Sequence, residues 1–241
     1  VNLLANDWTS DIVNKKARFR RRVLSKEFDS SLSKAYVIYC LQYEPEMTTC
    51  PLGRKWFDQL SVIASLASIC EQLGIDLVIR EHPEMLKMPQ AGILNQHHIY
   101  TSSNNSPRSI EFYEFIESFA SFKGYANRQN SLDYATDSLV AFSTITGTLI
   151  LESFVKRIPI IIPYGPPLWC DCLPNVFHIS FDSLSNISNH QKSLYDMSNN
   201  LHDYPSLIQR LRVYQGIRRD SRQNGHEFIA NINDALSLIN K

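Results

Sequence analysis

The sequence lacks the signatures that most directly assign a function. No G-x-G-x-x-G follows its first strand-like run, which leaves out the dinucleotide fingerprint, and no G-x-x-x-x-G-K-[ST] occurs, which leaves out a P-loop NTPase. There is no D-x-D, which argues against a metal-dependent sugar-nucleotide site, and no G-x-S-x-G elbow, which argues against an α/β-hydrolase. No apolar run approaches the ~20 residues that cross a bilayer. The opening VNLLANDWTSD has no basic stretch ahead of its apolar residues, so it does not read as a secretory signal. Net charge is missing as well: 24 Lys and Arg balance 24 Asp and Glu, so bulk charge predicts no nucleic-acid partner. The 5 cysteines are an odd number without framework spacing, which predicts reduced thiols and a cytoplasmic protein. Cys170 and Cys172 are separated by one residue, not the usual zinc spacing, and no second pair sits nearby, so no metal is expected.

What is present is an alternation of strands and helices. From Ala35 onward, β-rich runs appear at AYVIYCLQ (35–42), IDLVIR (75–80), SFKGYA (121–126), LVAFS (139–143), IPIIIP (158–163) and VFHIS (176–180). Helical spacing fills 56–73, ended by Gly74 as a C-cap, then 107–118, a short stretch at 131–136, and 148–156. Strands rich in Val and Ile, separated by helices, predict a parallel sheet covered on both faces. The predicted fold is therefore α/β, a Rossmann-like doubly wound unit over 34–185. An N-terminal helical segment over 1–33 precedes it, and helices over 186–241 follow and pack on it. Within the first segment 8–30 reads as a helix capped by Thr9, Ser10 or Asp11. KKARFRRR (15–22) puts six cations on that helix, with Phe19 and Val23 on an apolar side. The plain reading is a solvated face; the sharper one is a foot on an anionic membrane or a charged acceptor.

In open parallel sheets, ligands bind beyond the carboxyl ends of the strands. The segments that follow the first five predicted strands are all polar or rich in Gly and Pro: YEPEMTTCPLG, EHPEM, NRQNS, TITGT and YGPP. His82 leaves the second strand in IREHP. Ser143, Thr144, Thr146 and Thr148 set four hydroxyls around Gly147, immediately ahead of a helix. Free N–H groups at a helix start, hydroxyls and a glycine that permits close backbone approach suit a phosphate. The plain reading of these hydroxyls is ordinary helix capping. Glu152, one turn further along, is placed to accept from a ribose diol. Arg80 or Arg128 would add positive charge.

Taken together, YEPEMTTCPLG, IREHP, TITGTLILES and IPIIIPYG resemble the capsule-polysaccharide family that includes bacterial Kdo transferases. The His-Pro followed by a Ser/Thr pair is also similar to bacterial sialyltransferases. The resemblance covers about 36–165 and implies the C-terminal, donor-binding half of a GT-B glycosyltransferase. It implies a nucleotide-sugar donor, best matched by a CMP-linked sugar, with no essential metal or other cofactor. A glycan or glycolipid acceptor follows from it, and the basic run 15–22 would allow a cytoplasmic protein peripheral contact with the inner face of the membrane. On the matching positions, His82, Ser143 and Thr144 would contact the donor phosphate, with Thr146, Gly147 and Thr148 beside them. Glu152 would hold the ribose, and Glu46 is the acidic residue of the first-strand loop. The sequence departs from the family at Arg80 (usually Lys), Arg54 (often Gly) and Ile150 (often Gly). Residues 1–33 cannot form a second Rossmann half. The resemblance therefore implies a donor half whose acceptor-binding domain or subunit is supplied elsewhere, or a divergent relative. The rival readings are a nucleotide-sugar-binding module without catalysis, an epimerase acting on the donor alone, and a protein that docks another chain on its polar sheet edge.

Overall fold

The computed structural model describes residues 2–33, 35–43, 58–86, 108–128, 130–145, 149–156, 158–163, 173 and 175–189. Six strands form one all-parallel sheet: β1 (Tyr36–Cys40), β2 (Asp76–Arg80), β3 (Phe122–Tyr125), β4 (Leu139–Ser143), β5 (Ile160–Ile162) and β6 (Val176–His178). Their order is β3-β2-β1-β4-β5-β6. This is the doubly wound Rossmann-like order, in which the chain builds outward from β1 in one direction and then, from β4, in the other. Each strand expected from the sequence is present, within a few residues of its expected bounds.

The helices are α1 (Asn2–Ser25), α2 (Gln59–Leu73), α3 (Pro83–Leu86), α4 (Ile110–Glu117), α5 (Leu149–Val155) and α6 (Phe181–Asn189), with a 3-10 turn at Ser131–Tyr134. Alternate strand residues feed two cores. On one face Val37, Tyr39, Leu77, Ile79 and Ala141 pack with Phe19 and Val23 of α1, Ile63 and Leu66 of α2, Tyr113 of α4 and Leu184 of α6. On the other face Ile38, Cys40, Val78 and Phe142 pack with Tyr134, Ile150 and Phe154. Helices on both faces hide both sides of the strands, which is why the strands read as continuous apolar runs.

α2 is set by its ends. Asp58 accepts from the Leu60 amide at 3.0 Å at the start, and Gly74 at φ 67° closes it with its N–H directed at the Cys70 and Glu71 carbonyls. α1 begins at Asn2 rather than at the expected caps Thr9, Ser10 or Asp11, which lie inside it. The weak local preference of these residues for helix ends yields to the helix as a whole. α4 is capped by Ser109, which accepts from the Phe112 amide at 3.2 Å. The expected opening at Ser106-Pro107 lies outside the described residues, as do the helices expected after residue 189.

The chain leaving α1 runs along the outer edge of β3. The Tyr125 amide donates to the Lys26 carbonyl at 2.8 Å and the Phe28 amide to the Tyr125 carbonyl at 3.0 Å. Gly124, at φ 148°, permits this: a Cβ there would stand 2.8 Å from the Lys26 carbonyl oxygen. Beneath this edge Glu117 collects four hydrogen bonds from three residues. Arg22 donates through Nε at 3.0 Å and Nη2 at 2.6 Å, Lys26 at 2.6 Å and the Tyr125 hydroxyl at 2.9 Å. Burial works to raise the Glu117 pKa, but the donors from Arg22, Lys26 and Tyr125 outweigh it and hold the carboxylate below its usual range. The segment that the sequence marks as a separate basic helix is thus fastened to the sheet.

Candidate functional site

The crevice where strand order reverses lies at the carboxyl ends of β1 and β4. Helices that follow parallel strands begin at this same edge, so α2 and α4 bring their first residues to it. Gln42, just past β1, is the centre of the arrangement. Its amide donates to Gln59 Oε1 at 2.6 Å, its carbonyl accepts from Gln59 Nε2 at 3.3 Å and from Arg108 Nη2, and its side-chain Nε2 donates to Thr144 Oγ1. One glutamine therefore joins the exits of β1 and β4 to the starts of α2 and α4.

IREHP at the end of β2 separates its side chains by strand alternation. Arg80 turns to one face, where its buried guanidinium donates to the Ala126 and Arg128 carbonyls at 3.3 and 2.6 Å and ties down the exit of β3. Glu81 turns to the other face and is fully buried. Its carboxylate accepts from Arg108 Nε at 3.2 Å, from the Tyr113 hydroxyl at 2.6 Å and from the His82 amide at 2.7 Å. Burial, reinforced by the neighbouring Glu81 carboxylate, holds the Tyr113 phenol protonated far above its ordinary pKa. His82 follows, half-buried, with its ring tilted against Tyr43 of the β1 exit at 5.3 Å. Its carbonyl accepts from the Met85 amide at 2.9 Å, and Pro83 occupies the first position of α3, where a missing N–H costs nothing. The strand ends in these four residues because each is used differently: Arg80 and Glu81 brace neighbouring exits, His82 faces the edge, and Pro83 starts a turn of helix.

The sequence-predicted residues fall at this edge as follows. His82 stands at the exit of β2. Ser143 and Thr144 stand at the exit of β4, two strands away across β1, or about 10 Å at ordinary strand spacing. Both are buried. Thr144 Oγ1 also lies 3.4 Å from the Cys40 carbonyl, and the Ser143 hydroxyl is buried with no hydrogen-bond partner. Glu152 is exposed on α5 and close enough to Cys40 to act electrostatically on its thiol, as Arg80 also does. Ile150 does not project into the edge space; it is buried against the second core. Arg128 donates to the Asp133 carbonyl at 2.8 Å and lies over the Tyr134 ring. Glu46, Thr146, Gly147 and Thr148 lie outside the described residues. Among the described residues, no group of three or more His, Cys, Asp or Glu side chains is arranged to hold a metal ion, and no helix is long and apolar enough to cross a membrane.

Sequence reasoning missed Gln42, Gln59 and Arg108. Tyr113, expected as packing, does stack on Phe19 at 4.7 Å, but it also carries a hydroxyl to Glu81. The available signal was position: a glutamine just past a core strand and another in the first turn of a helix both sit where the sheet edge is crowded.

Burial pushes the Cys40 and Cys70 thiols up to about 12 and also raises the Tyr113 and Tyr125 phenols. The unfolded chain ionises its thiols from about 9, so it releases protons that the folded chain keeps. Stability is therefore expected to fall as pH climbs from about 9 toward 12, as followed by denaturant midpoints across that range. A flat profile would mean that these groups reach solvent in the folded protein.

No protein-family model matches the chain, and no curated protein matches it by sequence. The Rossmann-like architecture is broadly compatible with nucleotide-binding enzymes.

Proposed function

We propose that this chain is the donor-binding half of a metal-independent GT-B glycosyltransferase. It transfers a sugar from a nucleotide sugar, CMP-linked and of the Kdo or sialic-acid kind, to a glycan or glycolipid acceptor. The observation that carries the reading is the placement of His82 and the Ser143–Thr144 pair on one carboxyl edge, flanking the point where strand order reverses. The buried, unpartnered Ser143 hydroxyl adds to it, since an orphaned donor at a strand exit calls for an acceptor.

In this reading, the bond from the anomeric carbon to the phosphate breaks and negative charge gathers on the departing phosphate. The His82 imidazole and the hydroxyls of Ser143, Thr144, Thr146 and Thr148 stabilise that charge, with Gly147 letting the helix start approach. Glu152 takes the ribose diol. Glu46, in the sequence segment that follows β1, is the second candidate catalytic residue.

Isothermal titration with CMP, CDP and UDP tests the reading, followed by transfer of label from a CMP-sugar. Saturable binding with CMP preferred is expected; no binding of any of the three overturns it. A second reading, a nucleotide-sugar-binding module that acts only with a partner, is favoured by the burial of Ser143 and Thr144 and by the commitment of Thr144 to Gln42. Nucleotide binding without transfer would select it.

A further inference from the structure

α1 sorts its cations by face. Phe19 and Val23 are buried in the core, and Arg22 and Lys26 are drawn to Glu117 on the side of α4. Arg18, Arg20 and Arg21 are exposed and make no hydrogen bond or ion pair among the described residues. From Asn14 to Ser25 the sequence contains no acidic residue that could pair with them. At the helical repeat, Arg21 lies near the middle of the outward face, with Arg18 to one side and Arg20 to the other. Ala17 and Leu24 lie between them, Leu24 being 44% exposed. Ala17, Arg20, Arg21, Leu24 and Ser25 line an open groove of about 520 Å³. This face is not the by-product of a basic protein, because the chain as a whole carries no net charge.

We infer that the outward face of α1 docks on an anionic lipid surface. Three arginines within two helical turns suit a plane of phosphate headgroups, and Leu24 and Ala17 suit the apolar boundary beneath them. Among the described residues that line the groove none is aromatic, so none offers a surface on which a base could stack, as a single-stranded nucleic-acid platform would. The apolar side of the helix is already spent on the core, so α1 lies on the membrane through charge rather than inserting. Its grip should therefore weaken with salt. The inference does not depend on which ligand occupies the sheet edge.

The test is co-sedimentation of the full chain with phosphatidylglycerol–phosphatidylcholine vesicles and with pure phosphatidylcholine vesicles, at low and high salt. Association with the anionic vesicles alone, lost at high salt, is expected. The variant Arg18→Glu/Arg20→Glu/Arg21→Glu should partition on the order of 100-fold more weakly, and the Arg→Lys triple variant should retain most of the binding. Circular dichroism of the variants checks that α1 stays folded; its outward residues contribute nothing to the core. Equal association with both vesicle types, an unaffected charge-reversal variant, or capture by duplex DNA or an acidic protein in place of vesicles would overturn the inference.

Discussion

Replacing His82 by alanine is expected to cut turnover of a CMP-activated sugar by ~100-fold or more, the usual scale for removing one preorganised donor to developing charge. The loss should fall on kcat more than on KM, because the phosphate bears more charge as the glycosidic bond breaks than it does in the bound donor. Stability should change little. The imidazole is half-buried and leans on Tyr43, while the features that hold the strand exit, the Glu81 carboxylate on the His82 amide and the Met85 amide on its carbonyl, belong to the backbone and survive the substitution. Steady-state rates with a CMP-sugar, beside denaturation midpoints of the two proteins, check both halves. Near-normal turnover would remove His82 from the chemistry. A large fall in stability would make it a packing residue instead.

That His82 was legible in the sequence and its surroundings were not has a physical explanation. A doubly wound sheet announces itself locally. Each strand is a short run of Val and Ile bounded by polar segments, so all six strands could be located, and with them the edge at which His82, Ser143 and Thr144 stand. Helix ends were less legible: α3 is a single turn, and α6 buries only Leu184 and Ile187 of a mostly polar segment, too little for a clear period. The partners at the edge were hidden because they come from distant parts of the chain. Arg108 lies 27 residues beyond Glu81 and 66 beyond Gln42, and Thr144 lies 102 beyond Gln42. Nothing in the local pattern of a glutamine or an arginine says that it will be buried. What brings these residues together is the right-handed crossover, which returns each helix start to the carboxyl edge. The same geometry explains why Thr144, expected at the donor phosphate, already has a protein partner: Gln42 reaches across from β1 and donates to its hydroxyl.

Removal of Arg108 is expected to be the most destabilising single change at this edge. Arg108→Met leaves the Glu81 carboxylate fully buried with only the Tyr113 hydroxyl and the His82 amide as donors, and leaves the Gln42 carbonyl without its guanidinium. Breaking a buried pair in this way costs about 3–5 kcal/mol, because the charge left behind has lost its water and gained no substitute. A shift of the urea midpoint at unchanged slope measures it. Taking both charges away is a different matter. Glu81→Leu/Arg108→Met removes the stranded charge, and apolar replacements of similar volume recover much of the loss in comparable buried pairs. The double variant should therefore be more stable than Arg108→Met alone. It should not recover nucleotide binding, because the pair's other task is positional. Glu81 fixes the amide of His82, Arg108 fixes the carbonyl of Gln42, and Gln42 in turn holds Thr144. A double variant that regains stability and CMP affinity together would reduce the pair to a structural brace. An Arg108→Met protein as stable as the parent would show that Glu81 is not buried as the strand alternation places it.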